Sequence, residues 1–445
     1  MKPTTIKKLI EWSDAVSFGA EETALITDIC TDSRKITPGC LFVALKGERF
    51  DGHAFLQQAL DQGAKAVMGE IPFEGGPYLQ VKDTSQALLD LASGYRKQFS
   101  IPVVGITGSV GKTTTKEMVA GVLSQAYCCL KTEGNFNNEI GVPLTLFRLE
   151  DCHEIAVIEM GMNHFGELSR LSRCACPDAV IINNIGMSHI ENLGSREGIL
   201  KAKLEILDGL KEKGTALFNG DDDYLNQANP DVKIIRYGSS ETCAIRAEEI
   251  VSEQQLFSFV CKELPERVTI PVPGRHNISN AMAAVAAGVL FDVPGALIKQ
   301  GIEQSQSVGM RMRTEEKDGI RVILDCYNAN PDSMRAGISV LKESAGTRKI
   351  ALLGDMLELG DYSDQAHFEI GQFASELDAV FTVGKASEQI CKGAQVSIKQ
   401  HFATNDELSR FLKTFLQEGD AVLIKGSRGM KMEEIWNRIN EGWKN

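Results

Sequence analysis

Short runs of consecutive apolar residues, rich in valine and isoleucine, recur along the chain and alternate with longer stretches whose apolar positions fall three and four apart. The first pattern suits a strand buried on both faces, the second an amphipathic helix. The pattern divides into three blocks. Residues 1–99 read as a small α/β domain, with strands at 25–30, 41–45 and 64–68, helices at 53–62 and 84–98, and a linker at 99–102. Residues 100–310 place strands at 101–104, 155–158, 179–182 and 215–218, with helices at 112–125, 165–173 and 196–210. Short β-like pieces follow over 232–272, and 275–280 opens an alanine-rich helix. Residues 311–445 are the most regular block. Strands at 322–325, 350–353, 379–382 and 421–425 alternate with helices near 332–345, 364–377, 404–416 and 430–441. The expected class is α/β in three domains: a small N-terminal one, a central mostly parallel sheet, and a Rossmann-like doubly wound C-terminal one.

One turn in this pattern carries chemistry. Gly105-Ile-Thr-Gly-Ser-Val-Gly-Lys-Thr-Thr114 joins the strand at 101–104 to the helix from Lys112. Glycines let backbone N–H groups approach an anion, and a helix N-terminus favours negative charge. Gly108, Ser109, Val110, Gly111 and Thr114 would shape a phosphate cradle. Lys112 would reach the distal phosphates of ATP, and Thr113 would place its hydroxyl on Mg2+. The loop is shorter than the common form, since Ile106 stands where that form has its first glycine.

Composition narrows the rest. A chain of 445 residues, 43% hydrophobic and 24% charged, is an ordinary globular composition for several domains. The net charge of −13 argues against a nucleic-acid surface. The longest near-apolar stretch, 281–291, is too short to span a bilayer, and no signal-peptide core precedes it. Eleven cysteines without framework spacing suggest reduced thiols and a cytoplasmic location. Cys174 and Cys176 with a histidine are a weak zinc alternative.

Strand ends supply further candidates. Glu159 follows the strand at 155–158 and can hold magnesium opposite the phosphate loop, or stand as a solvated acid. His189, after the strand at 179–182, is either a second metal ligand or structural. Lys201, Lys203 and Glu205 cannot share one helix face, so one of them turns inward; a buried lysine with a lowered pKa is open to modification. Asn135, Asn137 and Asn138 form an amide-rich loop that suits peptide or sugar recognition, or an ordinary capped turn. Asp32, Ser33, Arg34 and Lys46, in the first block, can clamp a second phosphate group. The third block gathers 325–330, Gly354-Asp355 and Lys425-Gly-Ser-Arg428 at strand ends, where ligands of such sheets bind. It has no Gly-x-Gly-x-x-Gly, and the chain lacks the Asn-Lys-x-Asp signature of guanine switches.

Taken in order, these motifs resemble the Mur ligase family of cell-wall enzymes over nearly the whole chain. The matching segments include Asp32-Ser-Arg34, 39–47, 107–113, 134–138 with 141–143, Glu159-Met-Gly161, His189 and 201–205. His276-Asn277 with Asn280, 327–331, 354–360 and 425–428 complete them. The resemblance implies an ATP-dependent amide ligase working through an acyl phosphate in peptidoglycan synthesis. Lys112, Lys203 and His189 would be catalytic, and Thr113, Glu159, His189 and Lys203 would hold the metal, Lys203 as a carbamylated lysine. His276, Asn277, Asn280, Arg311 and Asn328 would contact ATP, with Arg313 an alternative to Arg311. Asp32, Ser33, Arg34 and Lys46 would hold the uridine diphosphate end of the substrate. Asn135, Asn137, Asn138, Asn330, Lys425, Ser427 and Arg428 would complete the substrate sites. The third block lacks the Asp-Asn-Pro-Arg motif that the diaminopimelate-adding sibling uses to read its amino acid, and Tyr327-Asn-Ala-Asn-Pro331 occupies the first strand end in the way expected of the dipeptide-adding member. The resemblance therefore implies D-alanyl-D-alanine as the incoming dipeptide and a UDP-N-acetylmuramoyl-tripeptide as acceptor, in a monomer hinged near 305–314.

Overall fold

The computed structural model of the chain describes residues 1–47, 50–253, 256–306 and 310–442, with only the backbone at 441–442. Among the described residues each block carries its own parallel-rich sheet. In the first, strands run in the order Val16–Phe18, Tyr78–Gln80, Ala66–Gly69, Cys40–Val43, Asp28–Cys30, with only Val16–Phe18 antiparallel. The single strand expected over 25–30 is two. Leu25–Ile26 pairs with Thr4–Thr5, while the Thr27 N–H donates to Gly39 O and turns the chain into the larger sheet at Asp28. The helix Thr84–Arg96 starts at Asp83, whose carboxylate accepts from the N–H groups of Ser85 and Gln86.

The central sheet has seven parallel strands, ordered Ile245–Arg246, Lys233–Gly238, Thr215–Asn219, Ala179–Ile182, Val103–Thr107, Ile155–Glu159, Cys129–Lys131. Val103–Thr107 lies between Ala179–Ile182 and Ile155–Glu159. The phosphate loop, Asn183 and Glu159 therefore leave adjacent strands at the same edge. Parallel pairing needs both faces covered. One face carries Lys112–Leu123 packed on His276–Leu290 and Gly295–Glu303; the other carries Glu167–Ala175, which packs on Thr84–Arg96 of the first block. Gly121 and Gly301 let two of these helices touch, since a Cβ on Gly301 would lie 2.5 Å from Val122 Cα. A three-stranded antiparallel sheet, Glu248–Glu253, Leu256–Val260 and Val268–Ile270, accounts for the β-like pieces.

The third sheet runs Arg313–Lys317, Ile320–Asp325, Asp420–Lys425, Arg348–Gly354, Ala379–Val383, Ile398–Phe402, parallel except for its first pair. That pair is a hairpin turning at Asp318 and Gly319, both at positive φ (51° and 72°), as a tight two-residue turn requires. Arg96 fastens the linker between the first two blocks. Its buried guanidinium donates to Phe99 O (2.6 Å), Ile101 O (2.7 Å) and Ala175 O (3.2 Å). The hinge expected near 305–314 falls partly at 307–309, outside the described residues.

Candidate active site

The phosphate loop is held from behind. Gly111, at φ 83°, has no room for a Cβ, which would lie 2.8 Å from Asn280 Oδ1. The N–H groups of Ser109 and Val110 donate to the carbonyl and side-chain oxygens of Asn184, at 3.1 and 2.8 Å. Lys112 is folded back, its Nζ donating to Gly108 O at 2.8 Å. Burial pushes its ammonium below the usual range, the Glu159 carboxylate pulls it up, and Arg311 pushes it down again. A polyphosphate would supply the missing countercharge.

Glu159 is fully buried at its strand end. Its carboxylate accepts from Thr113 Oγ1 and from Asn137 Nδ2, each at 2.8 Å, and its N–H donates to Thr132 Oγ1 at 3.0 Å. Of the residues at 201–205, Lys203 is the one that turns inward. It is 2% exposed, with no hydrogen bond or ion pair to another described residue, whereas Lys201 is exposed. Burial pushes the Lys203 amine well below its ordinary value, and Lys112 pushes it further. His189, at φ 60°, lines the same cleft, and its Nδ1 lies 2.6 Å from a Glu358 carboxylate oxygen.

The cleft between the central and third blocks encloses about 350 Å³. Ser109 to Thr114, Asn137, Asn138, Glu159, His189, His276 and Asn280 line it from one side, and Arg311, Asn328, Asn330 and Lys425 from the other. The Arg311 guanidinium stacks 3.9 Å over the Tyr327 ring. Burial pushes the His276 imidazole below its usual value; Asp325 opposes that and Lys425 adds to it. Gly108 lies behind this lining, and Asn277 faces a small adjoining recess with Thr114 and Arg311.

Several expected contacts are already engaged within the protein. Asn280 donates to Asn277 Oδ1 (2.8 Å) and accepts from Thr115 Oγ1 (3.0 Å), and Asn277 donates to Pro273 O (2.8 Å). These amides tie the 276–290 helix to the phosphate-loop helix. Asn138 Oδ1 accepts from Gly141 N at 2.8 Å, the ordinary capped turn; Asn135 is exposed and off the cleft. Asn330 caps the helix Pro331–Glu343 and donates to Ser188 Oγ. Lys425 Nζ pairs with Asp325 (2.6 Å) and donates to Asn328 O (3.0 Å). Ser427 accepts from Leu357 N (2.9 Å), and half-exposed Arg428 pairs with Glu433 (2.7 Å); neither lines the cleft.

Asp32, Ser33, Arg34 and Lys46 lie apart from the cleft, after the adjacent parallel strands Asp28–Cys30 and Cys40–Val43. Arg34 makes a two-pronged pair with Asp32 (2.8 and 2.9 Å), which holds that carboxyl down at about 2. Arg34 and Lys46 are exposed, and Ser33 is buried. Among the described residues Cys174 and Cys176 gather no third metal ligand. A surface group, Cys128, Cys152 and His153, does bring its ligand atoms within 4.8 Å. His153 Nδ1 accepts from Glu150 N (3.0 Å), which keeps the proton of a neutral ring on Nε2.

Three family models match the chain in order. "Mur ligase family, catalytic domain" covers residues 25–96, "Mur ligase middle domain" 106–288, and "Mur ligase, glutamate ligase domain" 310–428. The chain is 42% identical to the UDP-N-acetylmuramoyl-tripeptide–D-alanyl-D-alanine ligase of Bacillus subtilis (strain 168), over 97% of each chain. The chain belongs to the Mur ligase family. Two solved members of that family superpose closely. MurF from Acinetobacter baumannii does so with a TM-score of 0.94 at 35% identity, covering 99% of both chains. The MurF ligase of Thermotoga maritima in complex with ADP gives 0.85 at 28% identity, over 94% of this chain and 98% of that one. Within this Mur ligase, the sequence reading missed Asn184 and Glu358. Asn184 was findable as the second of two amides that follow a buried strand; Glu358 approaches His189 only through folding.

Proposed function

We propose that this chain is an ATP-dependent ligase joining D-alanyl-D-alanine to a UDP-N-acetylmuramoyl-tripeptide, in the cytoplasmic stage of peptidoglycan synthesis. The observation that carries the reading is the cleft in which Lys112, Thr113, Glu159 and His189 of the central block face Arg311, Asn328 and Lys425 of the third. Similarity over the full chain to ligases of that name supports the same step. The division of labour follows the blocks. Residues 1–99 take the UDP-sugar at Asp32, Ser33, Arg34 and Lys46, 100–310 take ATP, and 311–445 bring the dipeptide and close the cleft. A monomer suffices, because one chain supplies both walls.

The donor set fits a divalent cation. Glu159 is a buried carboxylate beside the Thr113 hydroxyl, His189 offers a ring nitrogen, and Lys203 is a buried amine without a partner among the described residues. A neutral amine reacts with carbon dioxide to give a carbamate, and the lowered pKa of Lys203 favours that form; the product would be a fourth, anionic ligand. Mg2+ held there would neutralise charge on the transferring phosphoryl group.

In the first step a substrate carboxylate oxygen attacks the γ-phosphorus of ATP, the bond to the β-phosphate oxygen breaks, and ADP leaves an acyl phosphate. Lys112, released from Gly108 O, and the helix N-terminus stabilise the charge on the phosphoryl oxygens. The dipeptide amine then attacks the acyl carbon, loses a proton, and expels phosphate. Acyl phosphates hydrolyse readily, so the wall formed by 325–330 and Lys425 serves to exclude water. The experiment is phosphate release with mass detection of product, using ATP and the UDP-linked tripeptide with and without D-alanyl-D-alanine. Condensed pentapeptide appearing only with the dipeptide is expected. Condensation with a single amino acid instead would overturn the assigned step.

A further inference from the structure

We propose that Glu358, carried by the third block, is a positioning residue that holds the His189 ring with its Nε2 free for the cation, so that the metal site matures when the third block docks. The inference rests on the metal reading of His189 given above. Metal-bound histidines commonly donate their second ring N–H to a carboxylate, which fixes both tautomer and ring orientation. His189 has one available. Its Nδ1 is buried, lies 2.6 Å from Glu358 Oε2 but outside hydrogen-bond alignment, and makes no hydrogen bond among the described residues, so a small turn of the ring would complete the bond.

The backbone on both sides is shaped for this contact. His189 and Glu358 each occupy the left-handed region, at φ 60° and 63°, which non-glycine residues rarely adopt unless the surroundings impose it. The segment holding Glu358 is tied down. His367 accepts from Met356 N at 2.9 Å and bonds Ser363 O at 2.7 Å, and Ser427 accepts from Leu357 N at 2.9 Å. The segment holding His189 is gripped from the third block. Asn330 donates to Ser188, Asp332 accepts from Met187 N at 3.2 Å, and Tyr362 donates to Gly194 O at 3.2 Å. A docking interface that only glued two blocks together would not need a carboxylate against a cleft histidine.

The test is Mn2+ affinity, read by electron paramagnetic resonance on the full chain with a non-hydrolysable ATP analogue, for Glu358→Ala, Glu358→Gln, His189→Ala, the double variant and Tyr362→Phe. Glu358→Ala is expected to weaken Mn2+ binding by about 10- to 100-fold. Glu358→Gln, which keeps an acceptor oxygen, should recover most of that loss. The double variant should be no weaker than His189→Ala, and Tyr362→Phe, which removes a docking bond alone, should bind as the parent does. Loss on His189→Ala with Glu358→Ala within two-fold of the parent overturns the positioning role and leaves the metal reading standing. An unchanged affinity in His189→Ala overturns both. Equal losses in Tyr362→Phe and Glu358→Ala would reduce the contact to docking and overturn the proposal.

Discussion

Lys203 sets stability against its proposed function at a single residue. Its amine is buried with no hydrogen-bond or ion-pair partner among the described residues, and its pKa is lowered by burial first and Lys112 second. The unfolded chain therefore binds this proton more tightly than the folded one. Stability rises with pH through the window between the lowered folded value and the ordinary one near about 10.4, and below that window the buried amine is a full destabilising term. Lys203→Met should raise stability at pH 7 by roughly 0.5–2 kcal/mol while lowering ligation about 100-fold or more. Urea midpoints on bicarbonate-free protein check the first part, and a variant less stable than the parent would refute it. Arg34 is the opposite case. It is exposed and, among the described residues, bonded only to Asp32, so Arg34→Ala should leave the urea midpoint unchanged. It should raise KM for the UDP-linked substrate with little change in kcat, since it removes binding rather than transition-state stabilisation. A fall in kcat at unchanged KM would place Arg34 in the chemistry instead.

At the scale of elements, the buried strands were plain in the sequence because strands covered on both faces are continuous apolar runs. Ala179–Ile182 lies where the pattern put it, Asp420–Lys425 starts one residue earlier than expected, and Val103–Thr107 is shifted two to three residues toward the phosphate loop. Strands without that signature were missed. Arg313–Lys317, Arg-Thr-Glu-Glu-Lys, is an edge strand whose charges blunt further pairing, and nothing in its composition marks a strand. Val16–Phe18 and Cys129–Lys131 are three-residue edge strands, too short to show a period. Site residues divide in the same way. Those at the mouths of buried strands, Glu159 and the phosphate loop, follow from local pattern. Asn330, expected as a substrate contact from the polar cluster 325–330 and the family resemblance, lines the cleft and also caps a helix, a role its residue type favours. Its Oδ1 accepts from Ser333 N at 2.8 Å, and its Nδ2 crosses to Ser188. Asn330→Ala should therefore cost about 1–2 kcal/mol in the unfolding of the third block. Asn330→Asp, which keeps the cap and loses the donor to Ser188, should restore most of that stability. If Asn330→Asp unfolds as early as Asn330→Ala, the cap is not the dominant contribution.

For the whole molecule, the decisive geometry is that the two proposed ligand regions lie on different sheets. The cleft joins the second and third blocks, while Asp32 to Arg34 and Lys46 sit at the carboxyl edge of the first sheet. The first block is bound to the second through Arg96 and through Tyr95, whose hydroxyl donates to Leu149 O at 2.7 Å. The third block meets the second through polar bonds to 187–194 and through buried apolar side chains of one continuous core. The polar part of that junction opens at lower cost than the apolar part and responds to ligands. A non-hydrolysable ATP analogue should accordingly slow amide hydrogen exchange at 105–114, 186–194 and 354–362, and leave 28–46 as it was. The UDP-linked tripeptide should protect 28–46. Both together should protect the cleft walls more than the analogue alone, because the acceptor peptide has to reach the γ-phosphate from the first block. Protection of 28–46 by the nucleotide alone would contradict separate sites. Unchanged exchange at 354–362 under every ligand would mean that the third block is docked permanently, and that ligand entry requires movement of the first.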